Sequence, residues 1–176
     1  MIDKIAWVAG IAGFVLLGAA EPMTAQSIRK SQLATLSQMV GPTRIEITYR
    51  RPVARGRELF GALVPYGGVW SPSADTAAVF STTTALDVEG ARLPAGRYSI
   101  WAVPDREVWT VIFSSAQPVF HLRYDQDRDV LRMRVQPRAA DHMESLGFYL
   151  PMVDGDSAVL VLHWGRTVVP IRIKAR

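Results

Sequence analysis

Cysteine is absent from this chain. That removes disulfide frameworks, thiolate nucleophiles, cysteine zinc sites and cysteine-linked lipid anchors from consideration. Histidine is scarce: His121, His142 and His163 are each isolated, with no second ligand at the close spacing that a structural zinc site uses, so no metal site is expected. His163 beside Trp164 reads as a packing or surface residue. Lysine is scarce too, three residues against seventeen arginines, a ratio that high-GC coding explains as readily as guanidinium chemistry does. There is no G-x-S-x-G and no serine set near a histidine by strand spacing, which leaves nucleophilic catalysis without support. Beyond the N-terminus no segment keeps a helical period, and there is no repeat, low-complexity tract or linker.

The one long apolar run is Ile5 to Ala20, preceded by Lys4 and followed by small residues. It is shorter than the ~20 residues a spanning helix needs, so residues 1–25 read as a signal peptide, with cleavage after Ala20 or Ala25. The alternative is an uncleaved anchor, which would be the chain's only membrane contact. The expected localisation is exported, periplasmic or secreted. Without residues 1–25 the charge is 19 minus 14, or +5. This favours anionic partners but is no nucleic-acid signature, and no nucleic-acid partner is expected.

The remainder is a succession of short alternating segments and turns. Gln32 to Val40 reads as a first edge strand ended by Gly41-Pro42, and Arg44 to Tyr49 alternates strictly. Further strands are expected at Thr76–Thr82, Leu86–Val88, Arg92–Leu93, Arg97–Val103, Val108–Phe113, Asp129–Val135 and Met143–Leu150. Asp154-Gly155 is the strongest hairpin signal. It leads to Ala158–Trp164, and Gly165-Arg166 reads as a turn into Thr167–Ile173, where Pro170 suggests an edge position. Glu58 to Leu63 could form one helical turn. Turns at about ten-residue spacing predict an all-β, antiparallel β-sandwich, jelly-roll-like or similar, as a single domain over 31–174.

Two stretches invite a chemical reading. Asp125-Gln126-Asp127-Arg128-Asp129 opens like a calcium loop, but Val130 stands where the turn wants glycine and Gln136 where a bidentate Glu belongs, which leaves a solvated acidic loop. Tyr49 to Trp70 carries Arg50, Arg51, Arg55 and Arg57, then Phe60, Tyr66 and Trp70. Arginine captures carboxylate or phosphate in bidentate fashion, and aromatic faces suit sugars or cations. A pocket walled by Arg50, Arg57, Tyr66, Trp70 and Asp75 would bind an anionic small molecule or glycan. In the blander reading the same arginines end a strand and the aromatics cap the core.

Six ordered blocks then carry a resemblance: I-E-I-T-Y-x-R-P (Ile45 to Pro52), G-R-x-x-F-G (Gly56 to Gly61), V-P-Y-G-x-V-W (Val64 to Trp70), L-P-A-G-x-Y-S-I (Leu93 to Ile100), W-T-V-I (Trp109 to Ile112) and D-V-L-R (Asp129 to Arg132). Over roughly 31–174 the chain resembles the domain of unknown function 2911 family of exported bacterial proteins. The resemblance implies a β-rich domain and carries no activity with it. Where that family typically reads R-T-G-A-N-E, this chain has Ser71 to Thr76, which keeps only Asp75 as a comparable polar group, and Ser114 stands where an asparagine is often found.

The functional expectation is an exported, non-enzymatic domain without a cofactor, binding a small anionic or glycan ligand or an envelope component. Two alternatives stand beside it: a hydrolase of envelope polymers or glycans, with carboxylates brought together by the fold, and a structural or oligomer-forming domain with a long uncharged edge strand.

Overall fold

The computed structural model describes residues 30–176. The apolar run read as a signal peptide lies outside the described residues. Among the described residues ten strands build two antiparallel sheets: β1 Gln32–Val40, β2 Thr43–Arg51, β3 Ala78–Thr82, β4 Leu86–Val88, β5 Ala91–Leu93, β6 Gly96–Val103, β7 Trp109–Ser114, β8 Asp129–Val135, β9 Arg138–Asp154 and β10 Ser157–Ala175. The larger sheet runs β1-β2-β3-β6-β7-β8, the smaller β5-β4-β10-β9. They enclose one core as an open sandwich, as the alternation predicts.

Strict alternation in β2 explains the larger sheet. Ile45, Ile47 and Tyr49 turn inward and are buried, while Arg44, Glu46 and Thr48 face away. Phe80, Phe113 and Tyr98 continue this inner face from β3, β7 and β6, with edge-to-face ring contacts at 5.0 and 6.3 Å. On the outer face a second cluster forms, in which Ala77, Trp101 and Ile112 are covered by Val119 and Tyr124 from the segment before β8. Trp101 Nε1 donates to Ser99 Oγ at 2.8 Å, so this buried indole leaves no polar atom unpaired.

The smaller sheet differs from expectation. Ala158–Trp164 and Thr167–Ile173 are not separate strands but one nineteen-residue strand, β10, and its partner β9 is seventeen residues long. A straight strand of that length would span roughly 60 Å. Yet Ala175 N–H donates to Asp156 O at 2.7 Å, so the last residues of β10 lie against its first. Gly165 makes the fold possible: it is a left-handed bulge (φ +58°), with register shifts against β9 on both sides of it. Bulge and turn use the same residue type, which is why the sequence reads as a turn.

Pro170 lies in an interior strand rather than at an edge. It falls after the last β9 pair, Val168 with Arg138, and before the first β4 pair, Ile173 with Val88, where no ladder needs its missing N–H. Glu58 to Leu63 forms no helical turn. Leu63 N–H donates to Glu58 O and Val64 N–H to Leu59 O, a wide loop closed by two longer-range bonds.

Candidate functional site

The arginine-rich segment is first a crossover between the sheets. After β2, Leu146 N–H donates to Pro52 O (2.9 Å), Val53 bridges Ser145, and Ala54 N–H donates to Glu144 O (2.8 Å). The crossover therefore pairs with β9 where β9 bulges. A chain leaving one sheet strands carbonyls that need donors, and the local arginines supply them. Arg51 Nε donates to Leu146 O at 2.8 Å, and Arg57 donates to Ala54 O at 2.8 Å and Val53 O at 2.6 Å. Arg55 sits at φ +53°, and its N–H donates to Glu144 Oε1 at 2.6 Å. That carboxylate also meets His142 Nε2 at 2.8 Å. The hydrogen bond from His142, then that from the Arg55 backbone, holds the Glu144 carboxyl below its ordinary range.

The aromatics of this segment divide between core and surface. The Trp70 indole is half-buried, stacked on Trp164 with centroids 5.9 Å apart and planes 9° from parallel. Phe60 stands edge-on to Trp70, Trp109 and Trp164 at 5.7, 4.7 and 6.2 Å. Backbone bonds in both directions tie Trp70 to Ala102 of β6. Tyr66 alone stays outside, its ring over Gly61 and under the guanidinium of Arg106 at 5.2 Å. Gly67 N–H donates to Pro104 O at 2.9 Å, fastening the Tyr66 loop to the β6–β7 turn.

Arg50 and Asp75 lie elsewhere. Arg50 Nε is 3.5 Å from the Asp75 carboxylate, beside a small cavity of about 180 Å³ that Arg50 lines with Leu33 and Ser73. Ser73 Oγ accepts from Arg50 N–H at 2.9 Å. Ser71, also buried, accepts from Ala78 N–H and donates to Ile100 O. Those serines satisfy backbone in the loop that carries polar groups in the family the chain resembles. Thus Arg50 and Asp75 come together, Tyr66 lies at a different cleft, and Arg57 and Trp70 line neither.

The cleft at Tyr66 has a volume of about 210 Å³, with Phe60 and Trp109 at its base. Arg106, Arg138 and Arg166 line it, with Asp105 as its one carboxylate. All three arginines are exposed, and among the described residues neither Arg138 nor Arg166 has an ion-pair or hydrogen-bond partner for its guanidinium. Far apart in sequence, they meet because two turns, Pro104-Asp105-Arg106 and Pro137-Arg138, converge with the Gly165 bulge of β10 that precedes Arg166. Each follows a turn-forming residue by one or two positions, and that spacing is the signal from which the cleft could have been read.

A larger cleft of about 590 Å³ lies beside it, lined from the end of β8, the β4–β5 turn and β10. Arg138 lines both clefts. Glu89 in the larger one is held by Arg172, whose Nη2 and Nε reach Oε2 at 2.7 and 3.1 Å and whose N–H donates to Oε1 at 2.5 Å.

His163 and His142 are each engaged separately. His163 Nδ1 meets Tyr149 OH at 3.1 Å and its Nε2 meets Asp141 O at 3.0 Å, while His142 faces Glu144. The acidic loop at 125–129 is folded on itself: Asp125 caps a 3-10 turn over Gln126–Arg128, and Asp129 Oδ2 accepts from Tyr124 and Arg132 at 2.5 and 2.6 Å. Among the described residues no three His, Asp or Glu side chains gather as metal ligands would.

Neither a curated protein nor a solved structure matches the chain. A family profile described as a protein of unknown function (DUF2911) matches residues 31–173, nearly the whole two-sheet domain with the crossover and both clefts, and the chain belongs to that family.

Proposed function

We propose that the chain is an exported, non-enzymatic binding domain that takes an anionic ligand, of carboxylate or phosphate type, in the cleft at Tyr66. The observation that carries this reading is the convergence of Arg106, Arg138 and Arg166 above a base of Phe60 and Trp109, with a single carboxylate to oppose them. Guanidinium groups without internal partners are free to form charge-assisted bonds with an incoming anion. Tyr66 fixes the orientation of Arg106 and offers an exposed ring edge to the ligand. Export is supported by the apolar run Ile5 to Ala20 behind Lys4, and the lack of cysteine is compatible with it. A paired-carboxylate hydrolase would need two acids in one cleft. Each cleft is lined by one, Asp105 in the smaller and Glu89 in the larger, and Glu89 is held by Arg172. Titration of the chain with galacturonate and with inorganic phosphate, followed by NMR shifts, tests the reading. Shifts centred on Arg166 and Tyr66 are expected, and shifts scattered over the surface would refute it.

A second reading, assembly through an edge, is favoured by one specific feature. β1 is the outer strand of its sheet, nine residues long, without charge, proline or glycine. Edges of that kind are open to pairing with another strand. Antiparallel self-pairing about Leu36 would set exposed Leu33 against Met39 of a second copy.

A further inference from the structure

The two clefts meet at Arg138, and their chemistry differs in a way that indicates a longer ligand. The smaller is arginine-rich around an aromatic base. The larger has an apolar floor of Val108, Val135, Val159 and Pro170, with Arg134 on its rim. Arg172 is committed to Glu89, but among the described residues Arg134, like Arg138, has no ion-pair or hydrogen-bond partner for its guanidinium. Across both clefts five arginines (Arg106, Arg134, Arg138, Arg166, Arg172) face two carboxylates (Glu89, Asp105), a surplus of three positive charges.

Arg134 and Arg138 are four residues apart, so their Cα atoms are separated by at most about 14 Å. One small anion in the smaller cleft reaches Arg106, Arg138 and Arg166 and leaves Arg134 unused. A ligand that uses the whole track must carry several anionic groups along its length, with an uncharged, weakly polar frame between them to lie on the valine and proline floor. Sugar rings present C–H faces of that kind, and uronic acid units repeat one carboxylate per ring. Inorganic polyphosphate has the charge but no apolar face to set on the floor.

We propose that the two clefts act as one groove for an acidic oligosaccharide, with one uronate held by Arg106, Arg138 and Arg166 and the following units running across the valine floor past Arg134. The proposal rests on the smaller cleft being an anion site, and the test separates the two claims. The full chain is titrated calorimetrically, at constant ionic strength, with galacturonate, with tri- and hexagalacturonate and with short-chain inorganic polyphosphate. The hexamer is expected to bind more tightly than the monomer by roughly 30-fold or more, as linked contacts do. Arg134→Gln, on the exposed face of β8, should lower hexamer affinity by about tenfold and leave monomer affinity and Tm unchanged. Monomer and hexamer of equal affinity, both insensitive to Arg134→Gln, would overturn the groove while leaving the smaller cleft as an anion site. Binding of polyphosphate without binding of hexagalacturonate would overturn the glycan assignment. If no probe binds in a manner that Arg166→Ala weakens, both the smaller site and the groove fall.

Discussion

Leu59 Cδ1 stands 2.7 Å from the point where a Cβ on Gly165 would lie. The crossover segment therefore packs directly onto the bend that turns β10 back on itself. Gly165 is fixed twice, by its left-handed φ of +58° and by the Leu59 side chain over it. Gly165→Ala should cost about 2–4 kcal/mol, from the left-handed conformation and from overpacking together, read as a lower urea midpoint. In a Leu59→Ala background the cost should fall to the conformational part alone. Equal costs in both backgrounds would separate the bend from the crossover.

Arg57 and Trp70 should behave as parts of the scaffold. Arg57→Ala removes donors to two carbonyls on an exposed loop and should cost about 1 kcal/mol. Trp70→Ala opens a hole between Trp164, Phe60 and Trp109 and should cost about 3 kcal/mol or more. Denaturant melts of both variants check the ranking, and a costly Arg57→Ala beside a neutral Trp70→Ala would reverse it.

Acid should loosen the crossover through Glu144. Its folded-state carboxyl is depressed, chiefly by the hydrogen bond from His142 and then by that from Arg55 N–H. The associated stability is present above the ordinary Glu value of 4.5 and is lost as pH falls through the depressed value. NMR titration should place this carboxyl below the ordinary Glu value of 4.5. Stability of Glu144→Gln should vary less with pH across that acid window. A Glu144 that titrates at that ordinary value removes the effect.

The open edge makes its own prediction. If copies pair through β1, light scattering at high protein concentration should detect a dimer that Ser37→Lys abolishes, because a lysine there meets a second strand. A dimer that persists in Ser37→Lys would place the contact elsewhere, and a chain monomeric at every concentration would remove the assembly reading.

The strands were legible because period-2 alternation is set by the backbone itself, as Ile45, Ile47 and Tyr49 demonstrate. The shape of β10 was not, since a glycine followed by arginine reads alike for a turn and for a bulge inside a strand. For the site, closeness in sequence misled. Arg51 and Arg57 are near neighbours because one crossover needs both, Arg57 for its own carbonyls and Arg51 to reach Leu146 O of β9, and they are spent there. Arg106, Arg138 and Arg166 are scattered over sixty positions, and only the meeting of two turns with the bend at Gly165 unites them. Tyr66 belongs to both sets, since it was singled out in the sequence and lines the cleft.

The most direct measurement is galacturonate affinity, by calorimetry at low salt where exposed charges are least screened, for the unaltered chain, Arg166→Ala and Arg57→Ala. The cleft account predicts a loss of about tenfold in Arg166→Ala, as for one charge-assisted hydrogen bond, and no change in Arg57→Ala. An Arg166→Ala chain that binds like the unaltered one, or an Arg57→Ala chain that remains folded but has lost the ligand, would contradict it.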